Sequence, residues 1–109
     1  MYEMITIEEF KKLNIRIAKI KEVIDHPDAD RLYIVRLVIG EEEREVVAGI
    51  KKGYNKEELL GKLVAVVENL EPAIIRGVES KGMILATQDG ETLAILSPDK
   101  PVAPGSIVK

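Results

Sequence analysis

An all-β barrel is the fold class this sequence predicts, and three observations predict it. Short apolar segments recur at close spacing, separated by Gly, Pro, Asn and Asp. The clearest of them, Leu32 to Ile39, presents Tyr33, Val35, Leu37 and Ile39 as one wholly apolar face. Helical signals are confined to two brief stretches, each opened by a capping residue with Glu three positions later.

The elements follow in order. Thr6-Ile-Glu-Glu9 is a capping box and starts a helix that reaches Leu13, with Asn14 as its stop. Ile15 to Asp25 reads as a long strand whose alternation slips near Ala18 and Lys19, the mark of a β-bulge and of a strand shared between two layers. His26-Pro-Asp-Ala-Asp30 is a turn, because Pro27 fixes φ and the Asp side chains bond local amides. Leu32 to Ile39 and Arg44 to Ala48 pair across a Gly40–Glu43 turn, and Gly49 and Gly53 break the pattern. Asn55, with Glu58, caps a short helix ending at Leu60. Leu63 to Val67 is apolar on both faces and is therefore a central strand. Met83 to Thr87 and Thr92 to Leu96 flank Asp89-Gly90 as a hairpin. Pro98, Pro101 and Pro104 make the tail extended and irregular. Three strands, a short helix and two more strands favour a five-stranded OB barrel, with an N-terminal helix before it and a C-terminal extension after it. One domain over residues 1–109 is expected, with 1–14 as the helical extension and 97–109 as the tail.

Composition narrows the function. With 109 residues there is room for one modest core, and at 4% aromatics that core must be aliphatic. No apolar run approaches the length of a membrane span, and the N-terminus lacks the pattern of a signal peptide. Cysteine is absent, which removes disulfides and thiolate chemistry; with a single histidine, structural zinc is not expected. A cytoplasmic location is the default. The net charge of −3 opposes nucleic-acid binding unless the cations are segregated on one face.

The stretch from Asn69 to Met83 is the richest in chemistry, reading as a loop with a proline, two glycines, basic side chains, a hydroxyl and a thioether. Gly77 and Gly82 have P-loop spacing, but Met83 and Ile84 replace the Lys and Ser/Thr that bind triphosphate. Asp25, Asp28 and Asp30 lack the order of a calcium loop and are turn formers. His26 has no nucleophile or ligand partner at suitable spacing and belongs to its turn. No enzyme chemistry, metal or cofactor is expected.

Five ordered blocks carry a resemblance: Leu13-Asn-Ile-Arg-Ile-Ala-Lys-Ile20, His26-Pro-Asp-Ala-Asp-Arg-Leu-Tyr33, Val47-Ala-Gly-Ile50, Asn69-Leu-x-Pro72 and Arg76-Gly-Val-Glu-Ser-Lys-Gly-Met83. Over nearly the whole chain, the sequence resembles the tRNA-binding OB domain found at the C-terminus of methionyl-tRNA synthetases and as a stand-alone structure-specific tRNA-binding protein. In some archaea such a domain is a free β subunit of the synthetase. The resemblance implies a noncatalytic homodimer that holds tRNA by shape and backbone and supports a methionyl-tRNA synthetase catalytic chain. A dimeric export chaperone that binds unfolded polypeptide resembles the same scaffold and is the alternative.

Phosphates call for cations, and the candidates are Arg16, Lys19, Lys21, Arg36, Lys51, Lys52, Arg76 and Lys81. Each alone fits a solvated face; the resemblance favours Arg36, Arg76 and Lys81. Asn69 offers an amide to a base edge or ribose, or else closes a strand end. Ser80 donates to a phosphate or ties down its own loop. Met83 lies under a base or fills the core.

Overall fold

The first strand carries the architecture. In the computed structural model, which describes residues 2–109, β1 (Ile15–Asp25) belongs to two layers. Met1, the first residue of the expected N-terminal extension, lies outside the described residues. The helix α1 (Ile7–Phe10) precedes β1, and β2 (Tyr33–Ile39) and β3 (Glu42–Ala48) follow it as a hairpin. Then come α2 (Lys56–Leu59), β4 (Leu63–Val67), the short pair β5 (Ala73–Ile75) and β6 (Val78–Ser80), β7 (Met83–Ile84), β8 (Ala86–Asp89) and β9 (Thr92–Ile95). The main sheet is antiparallel with the order β3-β2-β1-β4-β7; β5–β6 and β8–β9 form separate hairpins. With α2 between the third and fourth strands, this is the OB barrel that the order of elements predicts.

Two apolar layers explain why β4 has no polar face. Val64 and Val66 of β4 join Ala18 and Ile20 of β1 in the main core, with Val35, Leu37, Val46 and Leu59. Ala65 and Val67 face the other way, onto Ile15 and Ile17, where Phe10 and Val108 cover them. Each such buried aliphatic side chain contributes about 1.5–3 kcal/mol. Leu59 is the one buried residue of α2 and pins that helix to the barrel.

Several boundaries differ from expectation. The bulge falls between Ile20 and Glu22, with Lys21 as the extra residue, because Ile20 keeps its core position opposite Leu37. The β2–β3 turn is only Gly40-Glu41, so the strand begins at Glu42 and takes in part of the acidic triplet; Gly40 supplies φ 61°. The α1 helix stops at Phe10, three residues short of Leu13. The strand expected over Met83 to Thr87 breaks at Leu85. There the Leu85 N–H donates to the Ala65 carbonyl and its own carbonyl accepts from Leu96, while Ala86 onward pairs with β9. The tail is irregular as expected, yet it docks on β1: Gly105 N–H donates to Ile17 O (2.7 Å), Ile17 N–H to Ser106 O (2.9 Å) and Val108 N–H to Ile15 O (2.8 Å).

Candidate nucleic-acid interface

The segment from Asn69 to Met83 is not an open loop. Its centre is the β5–β6 hairpin, in register Ala73↔Ser80, Ile74↔Glu79 and Ile75↔Val78. Arg76 and Gly77 form the turn with φ of 52° and 87°, both in the left-handed region as a type I′ turn requires. Arginine is an unusual occupant of the first position. Here its side chain folds back, and Nη2 donates to the Asp28 carbonyl at 2.9 Å. His26 completes the latch. It is buried, and its Nδ1 accepts the Asp28 backbone N–H (3.0 Å), so Nε2 carries the ring hydrogen and donates it to Ile75 O (3.1 Å). His26 therefore holds the His26–Asp30 turn, as the sequence suggests, and also joins that turn to the hairpin.

A groove of about 400 Å³ runs between the hairpin and the outer face of β2–β3. Arg36, Arg44 and Lys81 line it together with Glu43, Glu45 and Glu79. Arg36 occupies the polar face of β2 and pairs with Glu45 at 2.7 Å; that carboxylate holds the guanidinium above its ordinary value and hence charged. Lys81 approaches Glu79 at 3.8 Å. Lys21, on the bulge, binds Glu43 at 2.8 Å and holds that carboxyl below its usual range. Cations converge here, and carboxylates converge with them. All these ion pairs are solvent-exposed, and such pairs are worth only about 0–1 kcal/mol each. An incoming phosphate can therefore take over the guanidinium or ammonium.

The other expected contacts scatter. Lys19 shares the outer face with Arg36, standing opposite Val38 in the next row of the sheet. Arg16 lies at the tail, bound to Glu68 (2.8 Å) and to the Gly105 carbonyl (3.4 Å). Lys51 and Lys56 share Asp25, at 3.0 and 2.8 Å. Arg76 belongs to a separate cleft with Arg31, Asp28 and Asp30. Lys52 is exposed near Gln88 and Glu91 and makes no ion pair among the described residues.

Two side chains are committed to the fold. Asn69 uses both ends of its amide, Oδ1 accepting from Asn14 N–H and Nδ2 donating one of its two hydrogens to Lys12 O, so it closes a strand end. Ser80 is buried; its hydroxyl accepts from Val47 N–H (2.9 Å) and donates to Gly82 O (3.0 Å), so it ties down its own loop and is out of a phosphate's reach. Met83 is 47% exposed at the sheet edge, available to a ligand and outside the core. Arg44 was not singled out from the sequence, where it reads as one charge beside an acidic run. Its guanidinium bridges the Glu68 and Lys81 carbonyls and so reaches the groove, a placement that no local pattern signals.

None of the helices is long and apolar enough to cross a membrane among the described residues. Residues 15–107 match the family model described as "Putative tRNA binding domain". The methionine–tRNA ligase of Thermococcus kodakarensis is 53% identical over 107 residues, covering 98% of this chain and 14% of that protein's length. Among solved structures, a MetRS-related protein from Pyrococcus horikoshii superposes with a TM-score of 0.91 at 28% identity, covering 99% of this chain and 100% of the other. The CsaA chaperone of Picrophilus torridus gives 0.90 at 31% identity, with 97% and 100% covered.

Proposed function

This chain belongs to the tRNA-binding domain family matched over residues 15–107, and from that premise we propose that it is a noncatalytic module gripping the folded body of tRNA. The observation that carries the reading is the placing of Arg36, Arg44 and Lys81 on one groove beside the outer sheet face, where Glu43, Glu45 and Glu79 accompany them in exposed, exchangeable pairs rather than leaving a purely cationic face. Phosphates replace the carboxylates there, so recognition is by backbone and shape. Arg76 and Lys19 lie outside this groove and extend the contact along the hairpin tip and the sheet.

The proposed partner beyond tRNA is the catalytic chain of a methionyl-tRNA synthetase in the cytoplasm. A second contact surface on that enzyme raises the local concentration of its tRNA without adding chemistry. The match to a methionine–tRNA ligase supports this assignment, and no cofactor enters it. A homodimer is part of the same reading. Ile5, Ile7, Leu13 and Ile107 are exposed apolar residues, and Ile7, Leu13 and Ile107 surround a crevice of about 180 Å³ between α1 and the tail.

The test is a mobility-shift titration of total tRNA at several salt concentrations. If about four to six phosphates are engaged, log K falls against log salt with a slope of about −3 to −5. A nearly flat slope overturns the proposal. A chaperone for unfolded polypeptide is the second reading, favoured by the likeness to CsaA. Capture of extended apolar peptides with tRNA ignored would establish it instead.

A further inference from the structure

Met83, two positions past Lys81 of the groove, lines a second and chemically different recess. Val47, Gly49, Ile50, Met83, Ile84 and Leu93 line an apolar slot of about 290 Å³ where the edge of β3 faces β7. At Gly49 and Leu93 the slot continues into a polar cleft lined by Lys52, Gln88 and Glu91.

Two glycines build this geometry. A Cβ at Gly53 would stand 3.1 Å from both the Cβ and the carbonyl oxygen of Leu93, so glycine lets the loop after β3 lie directly on β9 without pushing it back by a few tenths of an ångström. Gly82 has φ 137°, and a Cβ there would stand 3.0 Å from the Val67 carbonyl; this close approach brings Met83 to the rim. Ile84 is buried in the main core and forms a fixed floor, whereas Met83 remains half-exposed above it.

We propose that this slot receives one unstacked base of a bound RNA, with Met83 against its face and the phosphates on either side meeting Lys81 and Lys52. The inference rests on the RNA-binding reading above and deepens it from backbone recognition to selection of an unpaired nucleotide. Three features favour this occupant. The lining is apolar and the volume falls just below the range for drug-sized ligands, about 300–1,000 Å³, which suits a single ring system. Met83 of the slot follows Lys81 of the charged groove by two positions, so one strand of RNA can reach both. Its far end carries the Lys52 ammonium, without an ion-pair partner among the described residues and so open to a phosphate. Bases outside a helix are the ones a protein can stack on side chains, and a polarizable thioether suits a base's π face.

The experiment compares two RNA hairpins, one with a fully paired blunt stem and one identical but for a single bulged nucleotide. The protein should bind the bulged hairpin at least about fivefold more tightly, the lower end of the stacking range for one base. Ala86→Phe places a ring in the slot from an exposed strand position, and it should abolish this preference while leaving blunt-stem affinity and salt slope unchanged. Lys52→Ala, a surface change that does not disturb folding, should reduce the preference and lower the salt slope for the bulged RNA by about one. Equal binding of the two hairpins, or a preference that survives both variants, overturns the slot assignment. In that case salt-dependent binding of the blunt stem leaves the broader reading in place. Failure to bind either RNA removes both. Binding of an extended apolar peptide that Ala86→Phe abolishes, without any nucleotide preference, assigns the slot to polypeptide and overturns the proposal.

Discussion

Asn69 grips the segment before β1 from 55 residues away: its Oδ1 accepts the Asn14 backbone N–H at 2.7 Å, and its Nδ2 donates to the Lys12 carbonyl at 2.6 Å. The Glu68 N–H adds a bond to the Asn14 carbonyl at 2.9 Å, so the end of β4 and the end of the α1 turn form one junction. Asn69→Ala removes two of these three bonds. It should lower stability by about 1–2 kcal/mol and the melting temperature by about 4–8 °C. The salt slope of tRNA binding should stay the same. Calorimetric melting together with a salt titration separates this junction role from a direct RNA contact, which would weaken binding with little change in melting.

Ser80 should behave in the same sense and more severely. Ser80→Ala leaves the Val47 N–H without its partner in a buried position. The expected loss is about 1–3 kcal/mol, read as a shift in the denaturant midpoint at constant m-value. An unchanged midpoint would contradict the role given to that hydroxyl.

Arg36 and Lys81 should act on binding and leave stability nearly untouched, because their ion pairs are exposed. Arg36→Ala and Lys81→Ala should each weaken tRNA binding and reduce the magnitude of the salt slope by about one. Arg16→Ala should not alter the slope, since Glu68 and the tail occupy that side chain. Equal effects at all three positions would mean that the groove is not the binding surface.

Asp25 links stability to pH. Hydrogen bonds from Lys56 and Lys51 hold its carboxyl below the usual carboxylate range. The unfolded chain therefore takes up a proton first as pH falls. The contribution of Asp25 is fully present above its ordinary range and is lost as pH drops through the lowered folded value. Lys56, raised by the same Asp25, keeps its share until pH climbs past the ordinary lysine range. Asp25→Asn should flatten both limbs of the stability–pH curve, as measured by urea denaturation from pH 2 upward. Unaltered limbs would show that the pair contributes nothing.

Ile107 tests the proposed dimer. It is 68% exposed, beside Ile7 and Leu13. Ile107→Glu should convert a dimer to a monomer of 12.1 kDa in sedimentation equilibrium while the melting curve of the barrel persists. A wild-type protein that already sediments as that monomer at micromolar concentration would overturn the assembly.

The fold was legible where its causes are local or periodic. Thr6 with Glu9 and Asn55 with Glu58 are capping boxes both in sequence and in space, because each closes on itself within one turn. Leu63 to Val67 announced a central strand because both faces are apolar, and both faces are indeed covered. The β5–β6 hairpin escaped notice for two reasons. Its strands are three residues long, and its turn places Arg76, a residue with no left-handed preference, where Asn or Asp would have signalled it. The outward placement of Arg36, a charge set among apolar neighbours, was legible. The chemistry of Asn69 and Ser80 was not, since nothing in an amide or a hydroxyl reveals that a partner 55 or 33 positions away will claim it. Arg44 was hidden by the reverse effect, its distant partners being backbone carbonyls that any residue could have offered.

Gly105 and Gly40 touch back to back: a Cβ on Gly105 would stand 3.0 Å from the Gly40 Cα and amide nitrogen. The β2–β3 bend and the C-terminal strap are thereby machined to one tolerance, with backbone against backbone and no side chain to cushion the fit. A methyl group at 105 would push these two backbones apart by a few tenths of an ångström and strain a residue held at φ 99°, at the point where the Gly105 N–H holds the strap to Ile17.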